Sequence, residues 1–113
     1  MTRIIVCGGR DYANRARVWA VLDVLLAKFG FITVHHGGSR GADALVEQWA
    51  IERKVVCRAS PANRDKYGRA AVPIRNRQML DAGADLVVAF PGGRGTANMI
   101  KQARARGVPV REV

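Results

Sequence analysis

The sequence has no long hydrophobic run and few of the residues that usually hold metals. None of its apolar stretches approaches the roughly 20 residues of a membrane-spanning helix, and the chain runs from Met1 straight into a predicted core strand. Cys7 and Cys57 have no Cys-x-x-Cys or Cys/His spacing, and isolated cysteines are more often buried apolar residues than a disulfide. We therefore expect a cytoplasmic protein that contacts no membrane and uses neither a metal nor a cofactor.

Acidic residues are also scarce. The 113 residues include 9 acidic and 19 basic ones, 15 of which are arginine, and the net charge is +10. Because 49% of the residues are apolar, the chain can bury a core, and we expect one domain over residues 1–113. The basic excess suggests an anionic partner such as a nucleotide, a nucleic acid or an acidic surface. The alternative is a solvated, arginine-rich surface, and the placement of the arginines decides between the two.

Short apolar runs alternate with helical patterns along the whole chain. The predicted strands are Arg3–Cys7, Phe31–His35, Lys54–Cys57, Asp85–Phe90 and Val108–Arg111. Helical spacing of apolar residues follows Asn14, a predicted cap, and recurs over 42–50, 74–80 and 97–103. Continuous apolar strands are typical of a parallel sheet that is buried on both faces. The pattern predicts a doubly wound, Rossmann-like α/β fold with about five parallel strands and helices on both faces.

The segment Ser60–Arg77 is longer than the other connections between predicted strands and helices. It is polar, contains Pro61, Gly68 and Pro73, and carries five basic residues. Connections of this length are usually functional or mobile. We interpret it as a lid or flank over a site, followed by a short helix.

Three glycine-rich turns follow the first, second and fourth predicted strands. The candidate ligand-binding residues in them are Gly8, Gly9, Arg10, Gly37, Gly38, Ser39, Arg40, Gly41, Asp43, Pro91, Gly92, Gly93, Arg94, Gly95 and Thr96. Strand-to-helix turns of a parallel sheet share one edge, and ligands bind there. Glycines let backbone N–H groups converge on an anion, and a following helix N-terminus adds a favourable dipole. Phosphate suits such turns best, and the arginine in each turn has the donor geometry to bind it.

Several side chains near these turns have two plausible roles. Asp43 lies in the first turn of a predicted helix, where it either complements the helix dipole or accepts hydrogen bonds from ribose hydroxyls. Thr96 either binds phosphate or caps the last helix. Tyr12 and Tyr67 either stack on a base or pack within their loops. Any single arginine of the turns could instead point to solvent.

Four stretches together resemble one family: CGGRDY, HGGSRGAD, RNRQML and AFPGGRGTANM. They are similar to the YspA-type, cpYpsA-related branch of the SLOG superfamily over nearly the whole chain. The resemblance implies a Rossmann-like fold that recognises nucleotides or nucleotide-derived ligands. It also implies kinship with lonely-guy phosphoribohydrolases, which release a base from a nucleoside 5′-monophosphate, and with DprA-type proteins, which bind single-stranded DNA. Relatives commonly form homodimers.

The resemblance to the phosphoribohydrolases breaks at one position. Their Pro-Gly-Gly-x-Gly-Thr-x-x-Glu loop matches residues 91–96, and either Arg75 or Arg77 is placed like their catalytic helix arginine, but the glutamate is Met99. Hydrolysis of an N-glycosidic bond develops positive charge on the ribose, which a thioether does not stabilise. Either Asp11, Asp43 or Asp65 replaces the glutamate, or the protein binds without cleaving. The expected functions are, in order, nucleotide binding, hydrolysis and single-stranded nucleic-acid binding.

Overall fold

Five short parallel strands form the central sheet of the computed structural model, which describes residues 1–113. The strands are β1 (Thr2–Cys7), β2 (Ile32–His36), β3 (Val56–Ala59), β4 (Leu86–Ala89) and β5 (Val110–Glu112). Their order across the sheet is β3-β2-β1-β4-β5, and every neighbouring pair is parallel. The parallel sheet and the strand count confirm the fold predicted from the apolar runs.

The connections between the strands are helical. They are α1 (Arg15–Phe29), α2 (Ala42–Arg53), α3 (Arg64–Tyr67), a 3₁₀ turn (Gly68–Ala70), α4 (Ala71–Asp81) and α5 (Arg94–Ala105). Asn14 caps α1 as predicted, because its side-chain oxygen accepts a hydrogen bond from the Arg17 N–H at 3.0 Å. No helix combines the length and the apolar character that crossing a membrane requires.

Alternate residues of β1 pack into two separate hydrophobic cores, one on each face of the sheet. Ile4 and Val6 pack with α1 and α2 in the larger core, whereas Ile5 packs with residues of α4 and α5 in the smaller one. All three are at most 1% exposed. The continuous apolar run Ile4–Val6 is therefore explained by helices on both faces, as the sequence predicted.

The order of the strands determines where a ligand cleft can form in this sheet. From β1 the chain passes through β2 to β3 on one side, then returns across the sheet to β4 on the other side of β1. Neighbouring connections diverge where the order reverses, and this leaves a crevice at the carboxyl ends of β1 and β4. Two of the three glycine turns, Gly8–Tyr12 and Pro91–Thr96, follow these two strands.

Two helix boundaries differ from those predicted. The segment interpreted as a lid or flank followed by a short helix has its helix earlier than the predicted 74–80: α4 begins at Ala71, and Pro73 lies in its first turn, where a missing N–H costs no helical hydrogen bond. Helix α5 begins at Arg94 with Gly93 as its N-cap, so Thr96 belongs to the first turn and is not the cap. Arg94 and Gly95 are helical residues rather than loop residues.

A polar clamp joins α1 to α2. Asp23 accepts hydrogen bonds from the indole Nε1–H of Trp49 at 2.9 Å and from Nε and Nη2 of Arg53 at 2.9 and 3.0 Å. Trp49 is fully buried, so its N–H has no access to water. The Arg53 guanidinium is the main reason that the pKa of Asp23 is lowered.

We expect Asp23→Ala to lower the free energy of unfolding by about 1–3 kcal/mol, because it leaves the buried Trp49 N–H without an acceptor. Urea denaturation at pH 7 measures the change. Asp81→Ala is the control: it removes an exposed ion pair with Arg106 and should cost less than about 1 kcal/mol. The pKa of Asp23 is lower in the folded protein than the ordinary aspartate value. The difference in free energy of unfolding between the native protein and Asp23→Ala should therefore be fully present above the ordinary pKa and shrink as the pH falls through the lowered one. Equal costs for the two variants would contradict the clamp.

Candidate functional site

A cleft of about 1180 Å³ opens at the carboxyl ends of β1 and β4. The three glycine turns, the start of α2, and the α3–α4 segment all contribute to its lining. The predicted ligand-binding residues that line the cleft are Gly8, Gly9, Arg10, Gly37, Ser39, Asp43, Pro91, Gly92, Gly93, Arg94, Gly95 and Thr96. The structure therefore brings together most of the residues that the turn pattern singled out.

Three predicted residues of the second turn lie outside the cleft lining. Arg40 is 75% exposed in its side chain and pairs at 3.5 Å with Asp11. Gly38 has φ +71° and packs beside Pro61. Gly41 has φ +74°, and a Cβ there would collide with the carbonyl oxygen of Gly9. These residues shape the turn and do not form the cleft surface.

The Gly9 peptide groups connect all three turns. The Gly9 N–H donates to the Pro91 carbonyl at 2.9 Å, and the Gly9 carbonyl accepts from the Ala42 N–H at 3.1 Å and from the Tyr12 N–H at 3.2 Å. These groups are engaged within the protein, so the Gly9 amide is not available to an anion.

The longest run of free backbone donors in the cleft lies in the turn that follows β4, although the N–H groups of Gly8 and Arg10 in the first turn also have no acceptor within the chain. In the second turn, the Ser39 N–H donates to the Asp43 carboxylate at 3.1 Å and the Gly38 N–H donates to Nδ1 of His36 at 3.0 Å. By contrast, the N–H groups of residues 93–96, at the start of α5, have no acceptor within the chain. They are the unsatisfied donors of a helix N-terminus, and all four residues line the cleft.

Arg75 lies inside the cleft and is held by backbone carbonyls. Its Nη1 donates to the carbonyl oxygens of Gly37 at 2.8 Å and Ser60 at 3.3 Å, and its Nε donates to the Asn76 side chain at 3.0 Å. A Cβ on Gly37 would displace the guanidinium from its present position. Arg77 is exposed and does not line the cleft, so of the two arginines only Arg75 is placed to reach a ligand.

A buried amide network, which the sequence interpretation missed, fixes the start of α5 against α4. Asn76 is 3% exposed and donates to the Gly95 carbonyl and to Oδ1 of Asn98, both at 3.1 Å. Gln102 donates to the same Asn98 oxygen at 2.7 Å. The available signal was that Asn76 shares a helical stripe with the core residues Met79 and Leu80, and a polar residue in such a stripe requires partners.

Asp43 is the buried acid of the cleft. It is 6% exposed, and burial raises the pKa of its carboxyl, while the Ser39 N–H and the charges of His36 and Arg75 oppose the increase. Asp11, by contrast, has a side chain that is 95% exposed at the rim, and Asp65 is exposed and outside the cleft lining. Of the three acids considered as replacements for the missing glutamate, Asp43 alone is enclosed.

Met99 is part of the core. It is 1% exposed and packs with Ile5, Met79 and Val87, although one side of it contributes to the cleft floor. The position at which the phosphoribohydrolases have a glutamate is therefore apolar in its surroundings as well as in its residue. A carboxylate here would require desolvation without a partner.

His36, Glu47 and Cys57 form a cluster whose potential ligand atoms lie within 4.8 Å of one another. Nδ1 of His36 accepts from the Gly38 N–H, so the proton of a neutral ring is on Nε2 and is donated to Glu47 at 2.9 Å. A metal on Nε2 would require Nδ1 to carry the proton, facing another donor. The cluster is suited to joining β2, α2 and β3 and not to binding a metal.

The two tyrosines have different surroundings. Tyr12 lines the cleft and packs on Phe90, with ring centroids 5.3 Å apart. Tyr67 does not line the cleft, and the Lys66 ammonium lies 5.1 Å from its ring centroid. Only Tyr12 is placed to contact a ligand in the cleft.

Both thiols should be poorly reactive at neutral pH. Burial raises the pKa of Cys7 to about 12, with a further contribution from the charge of Asp43, and raises the pKa of Cys57 to about 12, with a contribution from Glu47. We expect iodoacetamide at pH 8 to alkylate the native protein at least about 100-fold more slowly than the urea-unfolded chain, because little thiolate is present. Mass spectrometry over time measures the rate for each cysteine. Rapid native modification of Cys7 would contradict a protonated thiol at the cleft.

Comparisons with known proteins agree with this architecture. The chain is 34% identical over 119 aligned residues to the Gene 61 protein of Mycobacterium phage D29, covering 97% of this chain and 94% of the phage protein. MurG of Acinetobacter baumannii matches with a TM-score of 0.61 at 14% identity, over 99% of this chain and 34% of MurG, so the chain spans about a third of that protein. The C-terminal domain of the PF1911 hydrogenase of Pyrococcus furiosus matches with a TM-score of 0.58 at 19% identity, over 99% and 91% of the two chains. At these identities, the structural matches show a shared Rossmann-like fold alone.

The family comparison is more specific. The model of the YAcAr family, described as the YspA, cpYpsA-related SLOG family, matches residues 2–67. This segment is more than half of the chain and contains the first two glycine turns, in agreement with the resemblance of the sequence motifs. The chain belongs to the YspA, cpYpsA-related SLOG family.

Proposed function

We propose that the chain is a single SLOG-like domain whose cleft binds a nucleotide or a nucleotide-derived ligand. The observation that carries the proposal is the group of free N–H donors at residues 93–96, which line the cleft at the N-terminus of α5. Such a group favours a phosphate, because the unsatisfied donors and the helix dipole act on the same anion.

Charged side chains support a phosphate at this end of the cleft. Arg94 and Arg10 line the cleft and have no acidic partner within 4.0 Å. Guanidinium groups bind phosphate oxygens through paired hydrogen bonds. Asp43, an acceptor in the same cleft, would repel phosphate but would accept hydrogen bonds from ribose hydroxyls. A nucleotide offers both kinds of group, whereas an inorganic anion offers only the first.

The variant Gly93→Asp tests the phosphate position. Gly93 is the N-cap of α5, and a Cβ there would meet no atom within 4 Å, so the space at this position accommodates aspartate. We expect folding stability to change by only a few tenths of a kcal/mol. Nucleotide affinity should fall at least about tenfold, because the carboxylate occupies the donors and repels the phosphate.

Calorimetry against a panel of mono-, di- and cyclic nucleotides and ADP-ribose measures the affinity. Gly93→Asn is the matched control, because it provides the same cap without the charge and should weaken binding much less. If no nucleotide binds to the native protein, or if both variants bind as tightly as the native protein, the proposal is wrong.

N-glycosidic hydrolysis of a nucleoside 5′-monophosphate is the second candidate function. It is favoured by the enclosed Asp43 carboxyl, whose pKa is raised by burial and which lies in the same cleft as Arg75. The apolar surroundings of Met99 count against it.

Incubation with nucleoside monophosphates, followed by chromatography for the free base, tests hydrolysis. If the protein cleaves, Arg75→Ala should reduce the rate at least about 100-fold, whereas Arg77→Ala, on the exposed side of the same helix, should leave it unchanged. Absence of free base at high protein concentration would exclude this activity for the substrates used.

A further inference from the structure

The ion pairs of this protein involve arginines that lie outside the cleft, although two acidic residues, Asp11 and Asp43, line the cleft. The arginines that pair with a carboxylate within 4.0 Å are Arg3, Arg15, Arg40, Arg53, Arg104 and Arg106. None of these six lines the cleft. The excess positive charge is therefore not spread evenly over the surface.

Two unpaired arginines line the cleft from a segment that belongs to none of the glycine turns. Arg64 comes from α3 and Arg69 from the 3₁₀ turn that follows it, and both side chains are exposed with no acidic partner within 4.0 Å. The charge of Arg64 acts on the guanidinium of Arg75, where it adds to the effect of burial in lowering the Arg75 pKa. Like charges gathered in one cleft favour an anion between them.

The cleft is larger than one phosphate and one nucleoside require. Its volume of about 1180 Å³ is above the usual range of roughly 300–1,000 Å³ for small-molecule sites. A phosphate held by the donors at residues 93–96 does not by itself account for two further unpaired guanidinium groups, those of Arg64 and Arg69, in the same cleft.

We propose that Arg64 and Arg69 form a second phosphate subsite, so that the ligand of this cleft carries at least two phosphate groups. This inference rests on the proposed nucleotide-binding function. A small polyphosphorylated or pyrophosphate-bridged nucleotide fits the observations better than a nucleic-acid strand. Tyr12 is the only tyrosine that lines the cleft and already packs on Phe90, whereas binding of single strands usually relies on several stacking aromatic residues.

Calorimetry at fixed ionic strength tests the second subsite with AMP, ADP, GMP, GDP and pyrophosphate as probes. We expect the native protein to bind the diphosphates about 10- to 100-fold more tightly than the matching monophosphates. In Arg64→Ala/Arg69→Ala this preference should fall to about twofold or less, while monophosphate affinity changes little. Arg17→Ala/Arg111→Ala is the control, since it removes the same charge from two exposed arginines outside the cleft that have no acidic partner, and it should preserve the preference.

The outcomes separate the two proposals. Equal affinity for mono- and diphosphates, or equal weakening of both by Arg64→Ala/Arg69→Ala, would overturn the second subsite and leave nucleotide binding intact. Loss of the preference in the control variant would attribute it to net charge and also overturn the subsite. Binding of none of the probes would overturn both proposals. A ten-residue thymidine oligonucleotide bound more tightly than any diphosphate would overturn the small-molecule ligand in favour of a nucleic-acid strand.

Discussion

The hydrogen bonds of Gly9 are the constraint on which the geometry of the cleft depends. Through its N–H to Pro91 and its carbonyl to Ala42, one residue at the end of β1 ties the turn after β4 to the start of α2. A Cβ on Gly9 would lie 3.0 Å from the Pro91 carbonyl oxygen, and one on the neighbouring Gly8 would lie 2.6 Å from the Ala42 Cβ. Close approach of three backbones, rather than flexibility, is what these glycines provide.

This constraint also divides the roles of the turns. In the first two turns, Gly9, Gly38 and Ser39 donate their N–H groups within the chain, to the Pro91 carbonyl, His36 and Asp43. The turn after β4 contributes only the Pro91 carbonyl to these hydrogen bonds, and the N–H groups of residues 93–96 have no acceptor within the chain. The Asn76 network holds the Gly95 carbonyl from behind, so these free donors have a fixed orientation without being satisfied. Rigid, unsatisfied donors bind an anion with little reorganisation.

The sequence predicted the sheet, the two helical layers and the meeting of the three turns, because apolar periodicity and strand-to-helix turns are local patterns that determine this architecture. It did not predict where α5 begins, since Gly95 and Arg94 have poor signals for a first helical turn until Gly93 is known to cap it. Nor could it show that Gly9 is engaged within the protein: the hydrogen bond between the Ala42 N–H and the Gly9 carbonyl joins residues 33 positions apart, and no periodic pattern in the sequence indicates it. The choice between Arg75 and Arg77 likewise depended on which side of α4 faces Gly37.

The charges of the cleft impose an orientation on any ligand of the proposed class. Phosphate is stabilised where donors and guanidinium groups are unpaired, at residues 93–96 and beside the arginines, and is repelled by Asp43. A group that donates hydrogen bonds is favoured near Asp43, because burial makes the charged carboxylate costly and a donor in addition to the Ser39 N–H reduces that cost. A ligand with phosphate at one end and hydroxyl groups at the other satisfies both requirements in one direction only. Met99 adds an apolar surface to the same cleft, so no carboxylate is present at the position where the phosphoribohydrolases have their glutamate.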